Sequence, residues 1–155
     1  MKKSLYVIAC IAVLLAFSGT RLSLAKTAVT NNSRGLVAVG LLDTVFNQRK
    51  VQEGFDRYVG SEYKQHNPYA ADGKQAAIDF LSQFLTPTTE WRYDFKHVYV
   101  DGRIVIVHSH VTRGAADRGS AVVDIFRLDR NNKIVEHWDV VQPIPEKSAN
   151  ENTMF

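Results

Sequence analysis

Residues 91–113 read WRYDFKHVYVDGRIVIVHSHVTR, and their period decides the fold. Trp91, Tyr93, Phe95, His97 and Tyr99 alternate with Arg92, Asp94 and Lys96, the two-residue repeat of a strand. Asp101-Gly102 supplies the residue pair a tight hairpin turn requires. Arg103 to Arg113 reads as the returning strand. The pattern continues downstream. Gly114 to Gly119 is a looser connection, Ala121 to Leu128 a third strand, Asn131-Asn132 a turn, and Lys133 to Gln142 a fourth strand ended by Pro143 and Pro145.

Upstream the period changes to that of helices. Leu36, Val37, Val39, Leu41, Leu42, Val45 and Phe46 form a wide apolar stripe over Arg34 to Asn47, with Ser33 placed to cap it. A second helix is expected over Val51 to Tyr58, ended by Gly60. Ser61 to Tyr69 reads as irregular or extended and is broken by Pro68. A third helix opens at Asp72 or Gly73, turns Ala77, Phe80, Leu81, Phe84 and Leu85 to the core, and stops at Pro87. Helices followed by an antiparallel meander make an α+β fold, in which a sheet can wrap around helices and leave a pocket between them.

The first residues have a different character. Lys2 and Lys3 precede an apolar run from Leu5 to Phe17, and Ser23-Leu24-Ala25 offers the small residues a signal peptidase reads. The run is short of the ~20 residues a spanning helix needs. Residues 1–25 are therefore expected to be a cleaved export signal, leaving no stable membrane anchor and a periplasmic or secreted protein. Residues 26–33 are a polar lead-in, 34–145 a single domain, and 146–155 a polar surface tail.

Cleavage would remove Lys2, Lys3 and Arg21 and no acid, which brings the 19 Lys+Arg to parity with the 16 Asp+Glu. A neutral domain offers no electrostatic footprint for nucleic acid. The only cysteine, Cys10, leaves with the signal, so neither a disulfide nor a thiol nucleophile is expected. No GxSxG, P-loop or GxGxxG pattern occurs. Gly102 followed by His108-Ser109-His110 matches the opening of a cupin metal motif, but the acidic and second-half residues do not follow. No metal or other cofactor is expected.

Parity sorts the remaining candidates. Ile104, Ile106, His108, His110 and Thr112 share one face of their strand; Val105, Val107, Ser109 and Val111 share the other. Val122, Asp124 and Phe126 share a face, as do Val135, His137, Asp139 and Val141, opposite Ile134, Glu136, Trp138 and Val140. Asp124 and Asp139 thus stand among apolar neighbours, where a carboxylate is costly unless hydrogen-bonded or lining a wet cavity. Burial raises such a pKa and makes a better base. The competing reading pairs Asp124 with His110 as a structural contact. His66, beside Pro68, is a rigidly presented imidazole. His97 reads as packing or surface, and His137 is open between pocket and sheet edge.

Five segments together resemble the SnoaL-like branch of the NTF2-like superfamily: Gln65-His66-Asn67-Pro68; Gly73-Lys74 opening a helix; Val107-His108-Ser109-His110; Val123 to Arg127; and Lys133 to Gln142. The resemblance spans roughly Arg34 to Pro145. It implies an α+β cone, a homodimer paired through the sheet, and a cavity for a small carbonyl compound or hydrophobic ligand. Members related to SnoaL close rings by an intramolecular aldol step without a metal, using an aspartate on a late strand. Asp139 stands at the matching position, with His110 and His66 expected in the same cavity as catalytic partners. Asp124, His108, Asn67 and Phe126 are expected to contact the substrate. A metal-independent acid/base enzyme of aldol cyclase, isomerase or lyase type is the first expectation. A non-catalytic binding domain for a small hydrophobic ligand is the second, and a structural or partner-binding module the third.

Overall fold

The apolar stripe of the first segment folds as a helix. In the computed structural model, which describes residues 33–155, residues 33–42 are α-helical and pass into a π turn, Asp43–Asn47; together these are α1. The expected signal segment 1–25 and most of the 26–33 lead-in lie outside the described residues. Ser33 is already helical, and Leu36, placed in the stripe by its spacing, is exposed. The π turn is closed by the Gln48 amide donating to the Asp43 carbonyl at 3.0 Å. Arg49 then takes a left-handed backbone (φ 61°) and donates its guanidinium to the carbonyls of Phe46, Asn47 and Thr89, ending the helix.

Helix α2 spans Val51–Tyr58 and helix α3 Lys74–Phe84. The strands are β1 (Val59–Gln65), β2 (Trp91–Asp101), β3 (Ile104–Arg113), β4 (Ser120–Leu128) and β5 (Ile134–Pro143). They form one open sheet in the order β1-β5-β4-β3-β2. The four expected strands make the antiparallel meander. The fifth, β1, is a finding. The stretch read as irregular or extended is extended through Gln65 and runs parallel to β5, with Gln65 beside His137. No helix among the described residues is long and apolar enough to cross a membrane.

The core lies between the helices and the inner face of the sheet. Leu41, Leu42, Val45, Phe55, Ala77 and Ile78 meet Val105, Val107, Phe126, Leu128 and Ile134. Phe126, Leu128 and Ile134 are at most 1% exposed, and each contributes about 1.5–3 kcal/mol through apolar burial.

Two register shifts correct the simple parity reading. Between Phe95 and His97 the β2–β3 pairing slips by one residue, so Trp91, Tyr93 and Phe95 face inward while His97 joins His108 on the outer face. Between Arg127 and Leu128 the β4–β5 pairing slips as well, with Leu128 opposite Ile134 and Arg127 opposite Glu136. Ile134 is therefore wholly buried although its parity placed it with Glu136 and Trp138. A bulge of this kind inserts one residue and exchanges the faces on either side of it.

Candidate active site

The sheet and helices enclose a cavity of about 690 Å³, within the usual range for small-molecule sites. One wall is aromatic. Phe46 stacks on Tyr93 (centroids 4.5 Å apart) and on Trp91 (5.9 Å). Asn47 holds this wall to β2, an edge strand: its Nδ2 donates to the Tyr93 carbonyl at 3.0 Å and its Oδ1 accepts the Tyr93 amide at 2.9 Å. That satisfies backbone groups an edge strand would otherwise leave unpaired.

The polar end of the cavity is built by β1, β4 and β5. Asp124 and Asp139 are direct cross-strand partners, and both line the cavity. Asp124 is 2% exposed and Asp139 half-buried. The parallel pairing of β1 with β5 supplies their surroundings. Tyr63 and Gln65 alternate inward along β1, and Asn67 continues the alternation beyond its end. Asn67 Nδ2 donates to both carboxylate oxygens of Asp139, at 2.9 and 2.8 Å. The orientation of that amide is fixed, because Asn67 Oδ1 accepts the Tyr69 backbone amide at 2.9 Å.

His137 lies between Gln65 and Asp124. Gln65 Oε1 accepts the Asn67 backbone amide, so it is the carbonyl end of that side chain and takes Nδ1–H of His137 at 3.1 Å. With Nδ1 carrying a hydrogen, Nε2 of His137 and Oδ1 of Asp124, 3.0 Å apart, share one proton. The other oxygen of Asp124, Oδ2, is buried without a hydrogen-bond partner among the described residues, as is Ser109 Oγ on the neighbouring strand. Burial pushes the Asp124 carboxyl above the usual carboxylate range. The hydrogen bond and charge of His137 oppose that shift, and the Asp139 charge adds to it. The Phe126 ring stacks on the His137 imidazole with centroids 4.8 Å apart and fixes its plane. Burial, reinforced by the nearby Asp124 and Asp139 charges, raises the phenols of Tyr63 and Tyr93 well above their ordinary value, so both stay protonated.

Asp124, Asp139, Asn67 and Phe126 all line the cavity. The expected histidines do not. His110 belongs to the outer face of β3, because the inner face is the valine-rich one: Val105, Val107, Ser109 and Val111. Its Nε2–H donates to the Arg118 carbonyl at 2.8 Å, and its ring packs on Phe155. His108 shares that face, stacked on His97 at 5.9 Å and beside Phe155. Neither reaches the cavity, and the structural pairing of Asp124 with His110 does not occur either. His66 alternates with Gln65 and Asn67 and so turns outward. It stacks on Trp138 (4.6 Å) and meets Glu136 at 2.8 Å. That contact is the largest of the influences that hold the Glu136 carboxyl below its usual value. The cavity's imidazole is His137. Its parity with Asp139 was the available signal, and Tyr63 and Gln65 were hidden because β1 carries no apolar alternation.

Donor atoms of Asp124, His137 and Asp139 lie within 4.8 Å of one another, a spacing a cation could bridge. Here Asp124 and His137 engage each other and Asp139 engages Asn67.

A SnoaL-like domain model matches residues 39–137. No curated protein matches the chain in sequence. Among solved structures, it is similar to an LEH-like epoxide hydrolase from Mycobacterium tuberculosis, with TM-score 0.60 and 13% identity over 73% of this chain and 85% of the other. A candidate SnoaL-like polyketide cyclase from Shewanella putrefaciens CN-32 gives TM-score 0.58 and 18% identity over 74% and 86%. A candidate ketosteroid isomerase from Kribbella flavida gives TM-score 0.58 and 14% identity over 81% and 89%. At these identities the likeness is one of fold.

Proposed function

Since the chain belongs to the SnoaL-like domain family, of NTF2-like fold, we propose that it is an acid/base enzyme of lyase or isomerase type, moving a proton beside the carbonyl of a small molecule in the cavity. One observation supports this above others: two carboxylates face each other at the polar end of the cavity, in unlike surroundings. Asp124 is buried and paired with an imidazole. Asp139 is half-buried and held only by an amide. Two acids in such different environments are equipped for different roles.

In this scheme Asp139 removes a proton from the carbon next to the carbonyl, and the C–H electrons move onto the carbonyl oxygen. Tyr63 donates to that oxygen. Its own oxygen accepts from Gln65 Nε2 at 3.0 Å, leaving the phenolic hydrogen free to turn to the substrate. Return of the proton to a different carbon completes an isomerisation. Attack of the enolate carbon on a second carbonyl completes an aldol closure; the Asp124–His137 pair then protonates the new alkoxide, and the proton taken up by Asp139 leaves to solvent while the pair recovers one from solvent, restoring both groups. No metal enters the scheme.

Proton exchange in heavy water tests the reading. Incubation with a panel of cyclic ketones and 1,3-dicarbonyl compounds should give protein-dependent loss of α-proton signals by NMR. Binding across the panel without exchange would favour the second reading, a carrier of hydrophobic ligands, for which the aromatic wall of Phe46, Trp91 and Tyr93 is the supporting observation. We also infer export, checked by whether the protein isolated from its host begins at Lys26. Pairing through the outer sheet face, where Trp138 and Val140 lie, is part of the same proposal. A monomer at micromolar concentration by sedimentation would remove that part.

A further inference from the structure

We infer that the substrate carries a carboxylate, bound by Arg113 at the cavity rim, at the opposite end of an apolar body from the reacting carbonyl. The inference rests on the acid/base reading only in that it places the carbonyl at Asp139.

The length of the cavity supplies the first part of the case. Val107 is the register partner of Asp124, and Arg113 lies six residues further along β3. At about 3.3 Å per residue the rim is roughly 20 Å from the carboxylates. The wall between them is apolar, formed by Val111, Val122, Phe46 and Trp91. A compound filling that span has a hydrocarbon body and two polar ends.

The state of Arg113 supplies the second part. It follows Val107, Ser109 and Val111 on the inner face and lines the cavity. Its guanidinium carbon sits 4.7 Å above the Trp91 ring, its cross-strand partner. That contact uses none of the guanidinium's five N–H donors. Among the described residues no carboxylate forms an ion pair with it. The other rim arginine, Arg118, is paired with Glu146 at 3.1 Å. Asp117, the nearest acid in sequence, spends its two oxygens on the backbone amides of Arg113 (2.8 Å) and Gly119 (2.9 Å). Those amides hold its carboxyl below the usual value. The rim therefore presents one arginine, braced on an indole, with its donors uncommitted. A planar carboxylate is the partner that such a fork takes in two parallel hydrogen bonds. A neutral ligand would leave that capacity unused.

Binding of decanoate and of decanol to the full-length mature protein tests this by titration calorimetry, with no turnover required. Decanoate should bind about tenfold or more tightly than decanol, the scale of charge-assisted hydrogen bonds at a partly exposed site. Arg113→Gln should abolish that preference while changing decanol affinity less than about threefold. Arg113→Lys, which keeps the charge and loses the fork, should retain part of it. Equal affinity for acid and alcohol, no binding of either, or an unchanged preference in Arg113→Gln would each overturn the proposal. Asp139→Asn separates the two readings. It should keep the full carboxylate preference whatever becomes of proton exchange, so either claim can fail alone.

Discussion

Replacing Asp139 with asparagine removes a charge while keeping the shape of the side chain, and the structure says how much that should cost in each currency. Asn67 cannot flip to suit the new amide, because its Oδ1 is held by the Tyr69 backbone at 2.9 Å. The variant must turn its own oxygen toward Asn67 Nδ2 and its NH₂ group toward the cavity. A charge-assisted contact becomes a neutral one, a loss of about 0.5–1.5 kcal/mol before screening at a half-buried site. Part of that is recovered, since the Asp139 charge also raises the Asp124 carboxyl. The net change in folding stability should stay within about 1 kcal/mol, a Tm shift of a few degrees. Proton abstraction should fall about 10²- to 10⁴-fold, which is about 3–5.5 kcal/mol of barrier. The assay is α-proton exchange by NMR, run beside a urea unfolding curve on the same preparation. Retention of more than about a tenth of the rate would exclude Asp139 as the base. A stability loss as large as the barrier change would mean that the residue holds the fold instead.

Tyr63→Phe should lower the exchange rate by about 10²-fold with little change in substrate affinity, the pattern for a donor that acts on developing charge; a change confined to KM would refute that role. Asp124→Asn should stabilise the protein by about 1–2 kcal/mol at neutral pH, since burying the carboxylate costs more than its single hydrogen bond to His137 returns. The sign follows from a folded pKa raised above the unfolded one: the folded state holds a proton the unfolded chain has released, so wild-type stability falls as pH rises from the ordinary carboxylate pKa through the raised value. Urea curves at several pH values should show the advantage of the variant vanish in acid, and an advantage constant with pH would contradict the assignment. His110→Ala and His66→Ala should each leave the exchange rate within about twofold, because both rings lie outside the cavity; a tenfold loss would reopen their catalytic role.

How legible the site was depended on whether a residue's position follows from local pattern. The helices and the four meander strands declare themselves by period, and Asp124 and Asp139 by being charged residues on apolar strand faces. Strand β1 does not. Val59 to Gln65 has a glycine and little apolar alternation, and its extended form comes from pairing with β5, some seventy residues away. Tyr63, Gln65 and the correct orientation of His66 were lost with it. His108 and His110 were sorted correctly from Val105, Val107 and Val111. Of the two sides, the more uniformly apolar one faces the core, and reactive residues are no guide to it. The bulge between Arg127 and Leu128 leaves no mark in the sequence, so parity puts Ile134 on the wrong side.

The slip between Arg127 and Leu128 also bears on how this strand can change over generations. If β5 had zipped regularly from the turn, Glu136 and Trp138 would occupy the cavity wall, and Asp139 would point to the opposite side. The surplus residue near Val135 acts as slack. Losing one residue there straightens the strand and leaves each downstream side chain on its present side. Losing one between His137 and Asp139 would rotate the acid out of reach. Length variation in a descendant of this gene should therefore be tolerated at one point in the strand and purged a few positions later.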